Sequence, residues 1–545
     1  MPRSRRVAFI ACHARVLSAV TAVLAVAAVT ACSSAASAQT AATATAQGST
    51  PQASVTAQAA EQADDQAISQ TSITRGACPA LQQGATRNAK EKCGTVSVPL
   101  DYTHPNGQKI TVEVSELTTA KAGDFRGYLL LNPGGPGLEG LDMPSTMASE
   151  LPASVLDDYD LIGFDPRGVG ASTPMSCGLS DSTYTGFPYP AADGSITQDV
   201  TEAKTIASAC AKIGDELQYF TTANTARDMD RIRMALGAQK ISYWGQSYGS
   251  YLGAVYTSLF PQRTDRMVLE GNVDPDDAWQ QQVELWNQGM NDRFPDAAKV
   301  AAADNATLGL GSTEAAVTST FLSLADDLDE TPVTVDGTPL NGELFRELTY
   351  ELLLHNQWIP TLIQVWKAVA DLVAGKALTA TDGAALEQAF ADADPPGEAN
   401  VPADNQTTVE MALICGDAPW STNVASYAAN TSAARAKYPL SDGMPDDIWA
   451  CAFWSKPPIE PTVKVTADGP RDVLLLQNQR DNATPYAGAL GMARALGDRA
   501  SLVSVDNGGH YVYDQGSACA DQATDTFLTT GALPAKTLSC PAPTT

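Results

Sequence analysis

Short apolar runs alternate with longer amphipathic stretches along most of the chain. Eight runs have the length and composition of β-strands, at residues 95–100, 110–117, 128–131, 159–164, 241–244, 267–270, 473–477 and 502–505. The turn-forming sequence DYTHPNGQK separates the first two, which predicts an antiparallel pair. Helical patterns separate most of the others, and this alternation predicts a mostly parallel, eight-stranded sheet with helices on both faces.

One clear helical pattern lies between the fourth and fifth strands. Asn224 has a side chain typical of an N-cap, and Gly237 is typical of the residue that follows a helix. The apolar residues between them share one face: Met229, Ile232, Ala235 and Leu236. We therefore expect Asn224 to cap a helix that Gly237 ends.

Residues 272–468, between the sixth and seventh strands, have a helical and acidic pattern instead. The stretch 342–374 illustrates it, because its leucines and Trp366 recur at helical spacing. An insertion at this point of a parallel sheet would lie above the carboxyl ends of the strands, so we call residues 272–468 the lid. The predicted core then consists of residues 73–271 and residues 469–545.

The amino-terminal region has the pattern of an export signal. Four arginines precede the apolar run 16–29 and a series of small residues, which predicts a signal peptide over residues 1–31. The sequence Val-Thr-Ala-Cys that ends at Cys32 resembles a bacterial lipobox, in which this cysteine is lipidated; cleavage after Ala38 would instead release the protein. Residues 32–72 are rich in Ala, Thr, Gln and Ser and are expected to form a disordered tether or pro-segment. We therefore expect an extracytoplasmic protein, either a cell-surface lipoprotein or a secreted one.

Net charge, histidine content and cysteine content restrict the partners, the metal sites and the compartment that we expect for this protein. The net charge of −28 argues against a nucleic-acid partner, since nucleic acid is itself a polyanion. The chain has four histidines and no C-x-x-C sequence, so we expect no metal site. Apart from Cys12 and Cys32, the cysteines fall into successive pairs, which supports export. Of about 105 possible connectivities, the simplest joins Cys78 to Cys93, Cys177 to Cys210, Cys415 to Cys451 and Cys519 to Cys540.

The fifth strand leads into the first catalytic motif. An apolar strand, the turn Gly245-Gln246-Ser247-Tyr248-Gly249 and an apolar helical pattern follow one another, and this is the context of a G-x-S-x-G nucleophile elbow. Glycines on both sides of the serine permit a sharp turn that exposes its hydroxyl. Ser247 is therefore the candidate nucleophile, although so short a pattern also occurs by chance.

A serine nucleophile needs a histidine base and an acid that orients the base. Three of the four histidines lie in the signal, in a turn and in the lid: His13, His104 and His355. This leaves His510, which follows the eighth strand, as the base. Asp481 follows the seventh strand and is the candidate acid, with Asp472 and Asp506 as competitors. The chain order Ser, Asp, His is that of the α/β-hydrolase fold, which we predict here.

Two backbone amides are expected to bind the oxyanion that forms when the serine attacks. One belongs to Tyr248, directly after the nucleophile. The other is expected from the glycine-rich loop 132–137 after the third strand, where Gly135 is the candidate.

Several motifs in this order resemble one family. They are GGPG after the third strand, GFDPRGVGAS at 163–172, TTANTARDMDRIRMALG at 221–237, YWGQSYGSYLGAVY at 243–256 and RDNATP at 480–485. Over residues 78–540 they resemble the secreted tripeptidyl aminopeptidases of actinobacteria, which are α/β-hydrolases related to prolyl iminopeptidase. The resemblance implies a peptidase that releases tripeptides from free N-termini without a metal or organic cofactor. It also implies the same catalytic residues: Ser247, Asp481, His510, and Gly135 with Tyr248 in the oxyanion hole.

An enzyme that acts on a free N-terminus must also hold its ammonium group, which calls for a carboxylate near the nucleophile. Glu270, at the end of the sixth strand, is the first candidate, with Asp274 and Asp417 behind it. In so acidic a chain, solvated surface acids are an equally good interpretation of all three.

Two other functions fit the same sequence less closely. The first is an esterase or amidase that uses this triad on small non-peptide substrates, because the fold supports many chemistries. The second is a binding lipoprotein without catalysis, which the intact set of Ser, Asp, His and oxyanion glycines opposes.

Overall fold

A computed structural model of the chain describes residue 68 and residues 70–543, except for 81–86, 122, 181–186, 336 and 394–400. The predicted signal peptide, Cys32 and most of the tether 32–72 lie outside the described residues. Within the described ranges, no helix is both long enough and apolar enough to cross a membrane.

Twelve β-strands lie within the described residues. They are β1 (Thr74–Gly76), β2 (Lys92–Pro99), β3 (Lys109–Leu117), β4 (Gly127–Asn132), β5 (Tyr159–Phe164), β6 (Ile241–Gln246), β7 (Thr264–Glu270), β8 (Val333–Val335), β9 (Thr338–Leu340), β10 (Val473–Arg480), β11 (Ala500–Gly508) and β12 (Leu538–Cys540). Ten of them form one sheet in the order β1-β2-β3-β5-β4-β6-β7-β10-β11-β12. The first three pairs in this order, β1-β2, β2-β3 and β3-β5, are antiparallel. The pairs from β5-β4 onward are parallel.

All eight predicted strands are present, and the predicted α/β-hydrolase architecture with its initial antiparallel pair is confirmed. The prediction lacks the two edge strands, β1 and β12. Each has three residues, and β1 is exposed throughout, so neither has the apolar run from which a strand is recognised.

Fifteen α-helices lie within the same described ranges. They are α1 (Met143–Glu150), α2 (Ala153–Leu156), α3 (Thr197–Cys210), α4 (Thr222–Ala235), α5 (Tyr248–Leu259), α6 (Leu285–Ala303), α7 (Asn305–Leu308), α8 (Glu314–Glu330), α9 (Gly342–Leu352), α10 (Ile359–Val373), α11 (Ala380–Ala393), α12 (Asn405–Asp417), α13 (Val424–Lys437), α14 (Tyr486–Leu496) and α15 (Ala518–Thr530). The lid contributes α6 to α13 between β7 and β10, so this stretch is mainly helical, as its sequence predicts; it also contains the short antiparallel pair of β8 and β9.

The stretch 342–374 contains two helices. α9 ends at Leu352, a short 3-10 turn spans Asn356–Trp358, and α10 begins at Ile359. Pro360 lies in the first turn of α10, where the missing amide N–H of a proline costs no hydrogen bond within the helix. His355 therefore lies in a connection between two lid helices and not within a helix.

The cap of α4 differs from the prediction. The helix begins two residues before Asn224, and Thr221 is its N-cap, with a side chain that accepts a hydrogen bond from the amide of Asn224. Threonine supplies the same capping oxygen as asparagine, so the sequence permits either register. Gly237 follows the helix with a φ of 72°, a conformation that glycine adopts without strain.

Four disulfides join the cysteine pairs that the sequence predicts. They connect Cys78 to Cys93, Cys177 to Cys210, Cys415 to Cys451 and Cys519 to Cys540. The third lies within the lid and ties α12 to the segment that follows α13. The fourth ties α15 to the edge strand β12 and so closes the sheet beyond β11. Such bonds persist in oxidising compartments, which agrees with an extracytoplasmic location.

Candidate active site

Ser247 lies in the turn between β6 and α5, with a φ of 57° and a ψ of −123°. A positive φ is strained for a residue that has a side chain, and it is the conformation expected of a nucleophile elbow. Glycine is required on both sides of the serine. A Cβ at Gly245 would lie 2.3 Å from the carbonyl oxygen of Gly249, and a Cβ at Gly249 would lie 2.7 Å from Asn132 Oδ1.

The loops after β10 and β11 bring Asp481 and His510 together. His510 Nδ1 lies 3.1 and 3.0 Å from the two carboxylate oxygens of Asp481, which is buried. The amides of Ala483 and Thr484 and the Thr484 hydroxyl also donate to this carboxylate, at 2.8, 2.9 and 2.8 Å. Because Nδ1 faces the fixed carboxylate, Nε2 is the ring nitrogen that can accept a proton from a substrate or nucleophile.

The glycine-rich loop after β4 packs directly on the elbow. A Cβ at Gly134 would lie 2.9 Å from Ser247 Cβ and 3.2 Å from the amide nitrogen of Tyr248. Asn132 Oδ1 accepts a hydrogen bond from the Gly134 amide at 3.1 Å and holds the loop in place. Gly135 has a φ of 103°, which only glycine adopts readily. The amide of Tyr248 is in the first turn of α5 and has no partner within the helix, so it is available to an anion.

Ser247, His510, Gly135 and Tyr248 all line one cavity. Its walls are otherwise mostly apolar and include Pro136, Leu138, Val273, Trp279, Trp286, Tyr350 and Leu354. The rings of Trp286 and Tyr350 stack at a centroid distance of 4.5 Å. A substrate would therefore meet the triad in a pocket that suits apolar side chains.

Glu351 is the one acidic side chain among the described residues that line this cavity. It belongs to the lid helix α9 and is 2% exposed. Its Oε1 has no hydrogen-bond partner in the described structure. Burial raises the pKa of Glu351 well above its usual value, because the charged form loses its solvent. A buried carboxyl group without a partner is a candidate for binding a cationic group of a ligand.

Comparison with known proteins places the chain in a family. Residues 439–540 match the family described as TAP-like protein. The chain is 33% identical over 462 residues to the tripeptidyl aminopeptidase of Streptomyces coelicolor, and the match covers 82% of this chain and 83% of that protein. The chain belongs to the tripeptidyl aminopeptidase family.

Two further relatives of this chain carry different names. The serine protease Hip1 of Mycobacterium tuberculosis is 31% identical over 467 residues, with 82% of this chain and 87% of that protein covered. The carboxylesterase B of Mycobacterium tuberculosis is 31% identical over 468 residues, with 82% and 86% covered. As a tripeptidyl aminopeptidase family member with this fold, the protein is a serine hydrolase.

The fold of this family member places Glu270 away from the cavity. The residue is fully buried at the end of β7. Its Oε1 accepts hydrogen bonds from the amides of Val512 and Tyr513 at 2.7 and 2.8 Å. Its Oε2 accepts from Trp244 Nε1 at 3.0 Å and from Gln246 Nε2 at 2.9 Å. Four donors occupy this carboxylate, so it joins β6 to the segment after β11, and it is not among the residues that line the cavity.

Asp274 and Asp417 do not line the cavity either. Asp274 accepts a hydrogen bond from Arg494 at 3.2 Å. Asp417 accepts from the amide and hydroxyl of Thr222 at 2.9 and 2.6 Å and from Trp279 Nε1 at 3.1 Å. Burial raises the pKa of Asp417 to about 6. Its role within this tripeptidyl aminopeptidase family fold is to support the aromatic wall of the cavity from behind.

The sequence contains a weak signal for Glu351 in this family member. Glu343, Glu347 and Glu351 recur every four residues and therefore share one face of α9. Such a row of acids beside leucines at helical spacing normally faces solvent. Here Glu347 and Glu351 are both buried, because α9 is covered on nearly every side by other parts of the protein.

Proposed function

We propose that the protein is an exported serine peptidase that removes short peptides, principally tripeptides, from the free amino ends of longer chains. The observation that carries the proposal is the position of Glu351, a buried carboxyl group whose Oε1 has no hydrogen-bond partner among the described residues, in the same cavity as Ser247. A tripeptidyl aminopeptidase that is 33% identical over most of its length supports the same activity.

The proposed reaction uses the chain's own residues. His510 Nε2 takes the hydroxyl proton of Ser247 as its Oγ attacks the carbonyl carbon of the scissile amide. Negative charge develops on the carbonyl oxygen, and the amides of Gly135 and Tyr248 stabilise it. His510 then gives the proton to the leaving amine, and the C–N bond breaks to leave an ester on Ser247. Water, deprotonated by the same histidine, hydrolyses this ester and restores the serine.

The carboxyl group of Glu351 binds the substrate ammonium. An ammonium group beside Glu351 offsets the burial that raises the pKa of this residue, so it favours the ionised carboxylate. The resulting charge-assisted hydrogen bond in a dry pocket is stronger than one in water. A blocked N-terminus forfeits that contact and leaves the carboxyl group buried without a partner.

The proposal predicts a clear ranking of substrates for the purified enzyme. A chromogenic tripeptide amide with a free amine is expected to react with a kcat/KM about 10- to 100-fold above that of the same compound with a blocked amine. The measurement compares initial rates on these two compounds and on a simple aryl ester. Equal rates on the free and blocked peptides would exclude an aminopeptidase.

A second candidate function is hydrolysis of small non-peptide esters or amides. The 31% identical carboxylesterase B and the mostly apolar cavity favour it. The same three compounds decide between the two functions. A carboxylesterase would hydrolyse the aryl ester well, and its rates on the free and the blocked peptide would be equal.

We further propose that export ends in a lipid anchor at Cys32. The lipobox sequence that ends at this cysteine supports the anchor, and ordinary cleavage after Ala38 is the alternative. Cys32→Ala is expected to move the protein from the membrane fraction to the soluble fraction, while Cys12→Ala, within the predicted signal peptide, is expected to leave it on the membrane. Membrane association that survives Cys32→Ala would rule out lipidation there.

A further inference from the structure

A short lid segment lies against the loop that carries His510. The carbonyl oxygen of Leu354 accepts a hydrogen bond from the backbone amide of His510 at 2.7 Å. Asn356 Nδ2 donates to Asn507 Oδ1 at 3.1 Å. We call residues 353–356 the lid bridge, because through them the lid holds the backbone of the proposed base.

Arg293, on α6, binds both ends of the lid bridge. Its side chain is 1% exposed. Its Nε donates to the carbonyl oxygen of Leu353 at 2.9 Å, and its Nη2 donates to Asn356 Oδ1 at 2.8 Å. Its Nη1 donates to Asp296 Oδ2 at 2.8 Å. A planar guanidinium with donors in a fixed fork can hold all three acceptors at once, which an ammonium group cannot do.

The same cluster is tied to the strands that end in the triad. Arg480, the last residue of β10, donates from Nε to the two carboxylate oxygens of Asp296 at 3.1 and 3.0 Å. It also donates from Nη1 to Asp506 Oδ1, on β11, at 2.6 Å. Arg480 directly precedes Asp481, so Arg293 is connected through Asp296 to the loop that carries the acid. Through the lid bridge it is connected to the loop that carries the base.

Two glycines let the guanidinium approach the base loop. A Cβ at Gly508 would lie 2.0 Å from Arg293 Nη1, so a side chain there would displace the arginine. A Cβ at Gly509 would lie 3.0 Å from the carbonyl oxygen of Leu354. The backbone between β11 and His510 is therefore shaped to receive both Arg293 and the lid bridge.

We propose that Arg293 is a positioning residue for catalysis. Through the lid bridge it fixes the backbone of His510, and thereby the imidazole that takes the proton from Ser247. Arg293 does not line the cavity, whereas Glu351 and Leu354 do. The lid residues that line the cavity are thus continuous in sequence with the lid bridge, which holds the backbone of His510. The inference rests on the catalytic triad of the proposed function.

The test uses an aryl ester, which has no ammonium group and so does not depend on Glu351. Rates are expressed per active site, counted by covalent labelling of Ser247 with a fluorophosphonate. Arg293→Met is expected to lower kcat per site by about 10- to 100-fold while KM changes by less than about 3-fold, because a misplaced base slows the chemical step. An unchanged kcat per site would overturn the proposal.

A matched control separates positioning from folding. Arg346 is also a buried lid arginine, and its ion pairs go to Asp326, Asp329 and Asp442, not to the lid bridge. Arg346→Met is expected to lower Tm but to keep the kcat per site of the unchanged enzyme. If both methionine variants lower Tm and both keep kcat per site, Arg293 has only a structural role.

Two more variants keep the proposal testable if Arg293→Met does not fold. Arg293→Lys keeps the charge but cannot bind both ends of the lid bridge, and we expect it to lose about 3- to 10-fold in kcat per site. Asn356→Ala removes one end of the bridge and is expected to lower kcat non-additively with Arg293→Lys. Wild-type kcat in both would overturn the proposal. Ester hydrolysis that survives Ser247→Ala would instead refute the proposed triad, whatever the arginine variants do.

Discussion

Alanine at Ser247 is expected to lower kcat by about 10³- to 10⁶-fold on peptide and ester substrates alike. The hydroxyl is the only group proposed to form the covalent intermediate, and its loss also leaves His510 without a proton to take. Substrate binding should persist, because the aromatic walls and the carboxyl group of Glu351 are untouched. The measurement is kcat and KM on the free tripeptide amide and the aryl ester, with purified protein.

Ser258→Ala is the control for this change. Ser258 lies on the same helix α5 and donates to the carbonyl oxygen of Ala254 at 2.8 Å, away from the cavity. The substitution is chemically identical, and we expect it to leave kcat within about 2-fold of the unchanged enzyme. Activity that survives in Ser247→Ala would contradict the acyl-enzyme mechanism.

Glutamine at Glu351 is expected to abolish the preference for a free amine. The substitution keeps the shape of the side chain and removes its ability to become an anion. We expect kcat/KM for the free tripeptide amide to fall by about 10- to 100-fold, since a charge-assisted hydrogen bond in a buried pocket is lost. The N-blocked peptide and the aryl ester should change by less than about 3-fold, because neither carries an ammonium group.

Glu347→Gln provides the matched control, since Glu347 lies one turn away on α9, is equally buried and does not line the cavity. The ratio of rates on free and blocked peptide should survive this change. A loss on the ester as large as that on the free peptide would show that Glu351 shapes the cavity instead of binding the amine.

The preference for a free amine should also depend on pH in a defined direction. Burial raises the pKa of Glu351, so its carboxylate is lost at a higher pH than that of an exposed glutamate. As pH falls through this raised pKa, the protonated group no longer attracts the ammonium. The ratio of kcat/KM for free over blocked peptide is therefore expected to decrease as pH is lowered across this raised pKa. In Glu351→Gln the ratio should stay flat over that range.

The strands and the proposed triad could be predicted from sequence because each depends on local patterns. A strand buried on both faces needs an uninterrupted apolar run, and β4, β7 and β10 each contain one. His510 could be found by elimination, since a chain with four histidines leaves few choices for a base. Asp481 followed from chain order. Those arguments need no knowledge of how distant segments pack.

The proposed amine site could not be found that way. Glu270 lies at the expected strand end, but its partners Val512 and Tyr513 are 242 and 243 residues away in the chain. Only the folded structure reveals that these amides occupy its carboxylate. Glu351 belongs to a regular acidic row on a helix, and its burial depends on the other lid helices around α9. Tertiary packing, and not local pattern, decides which acid meets the cavity.

The order of the strands also determines when the proposed site can assemble. During synthesis, β6 and Ser247 leave the ribosome first, then the whole lid, and only afterwards β10 and β11 with Asp481 and His510. Because β10 pairs with β7 and β11 pairs with β10, the base and the acid reach the nucleophile only after these last strands have joined the sheet. A nascent or truncated chain that lacks these strands therefore has Ser247 but neither the proposed base nor the proposed acid. We therefore expect the chain to be inactive until its carboxyl-terminal strands have been made and folded.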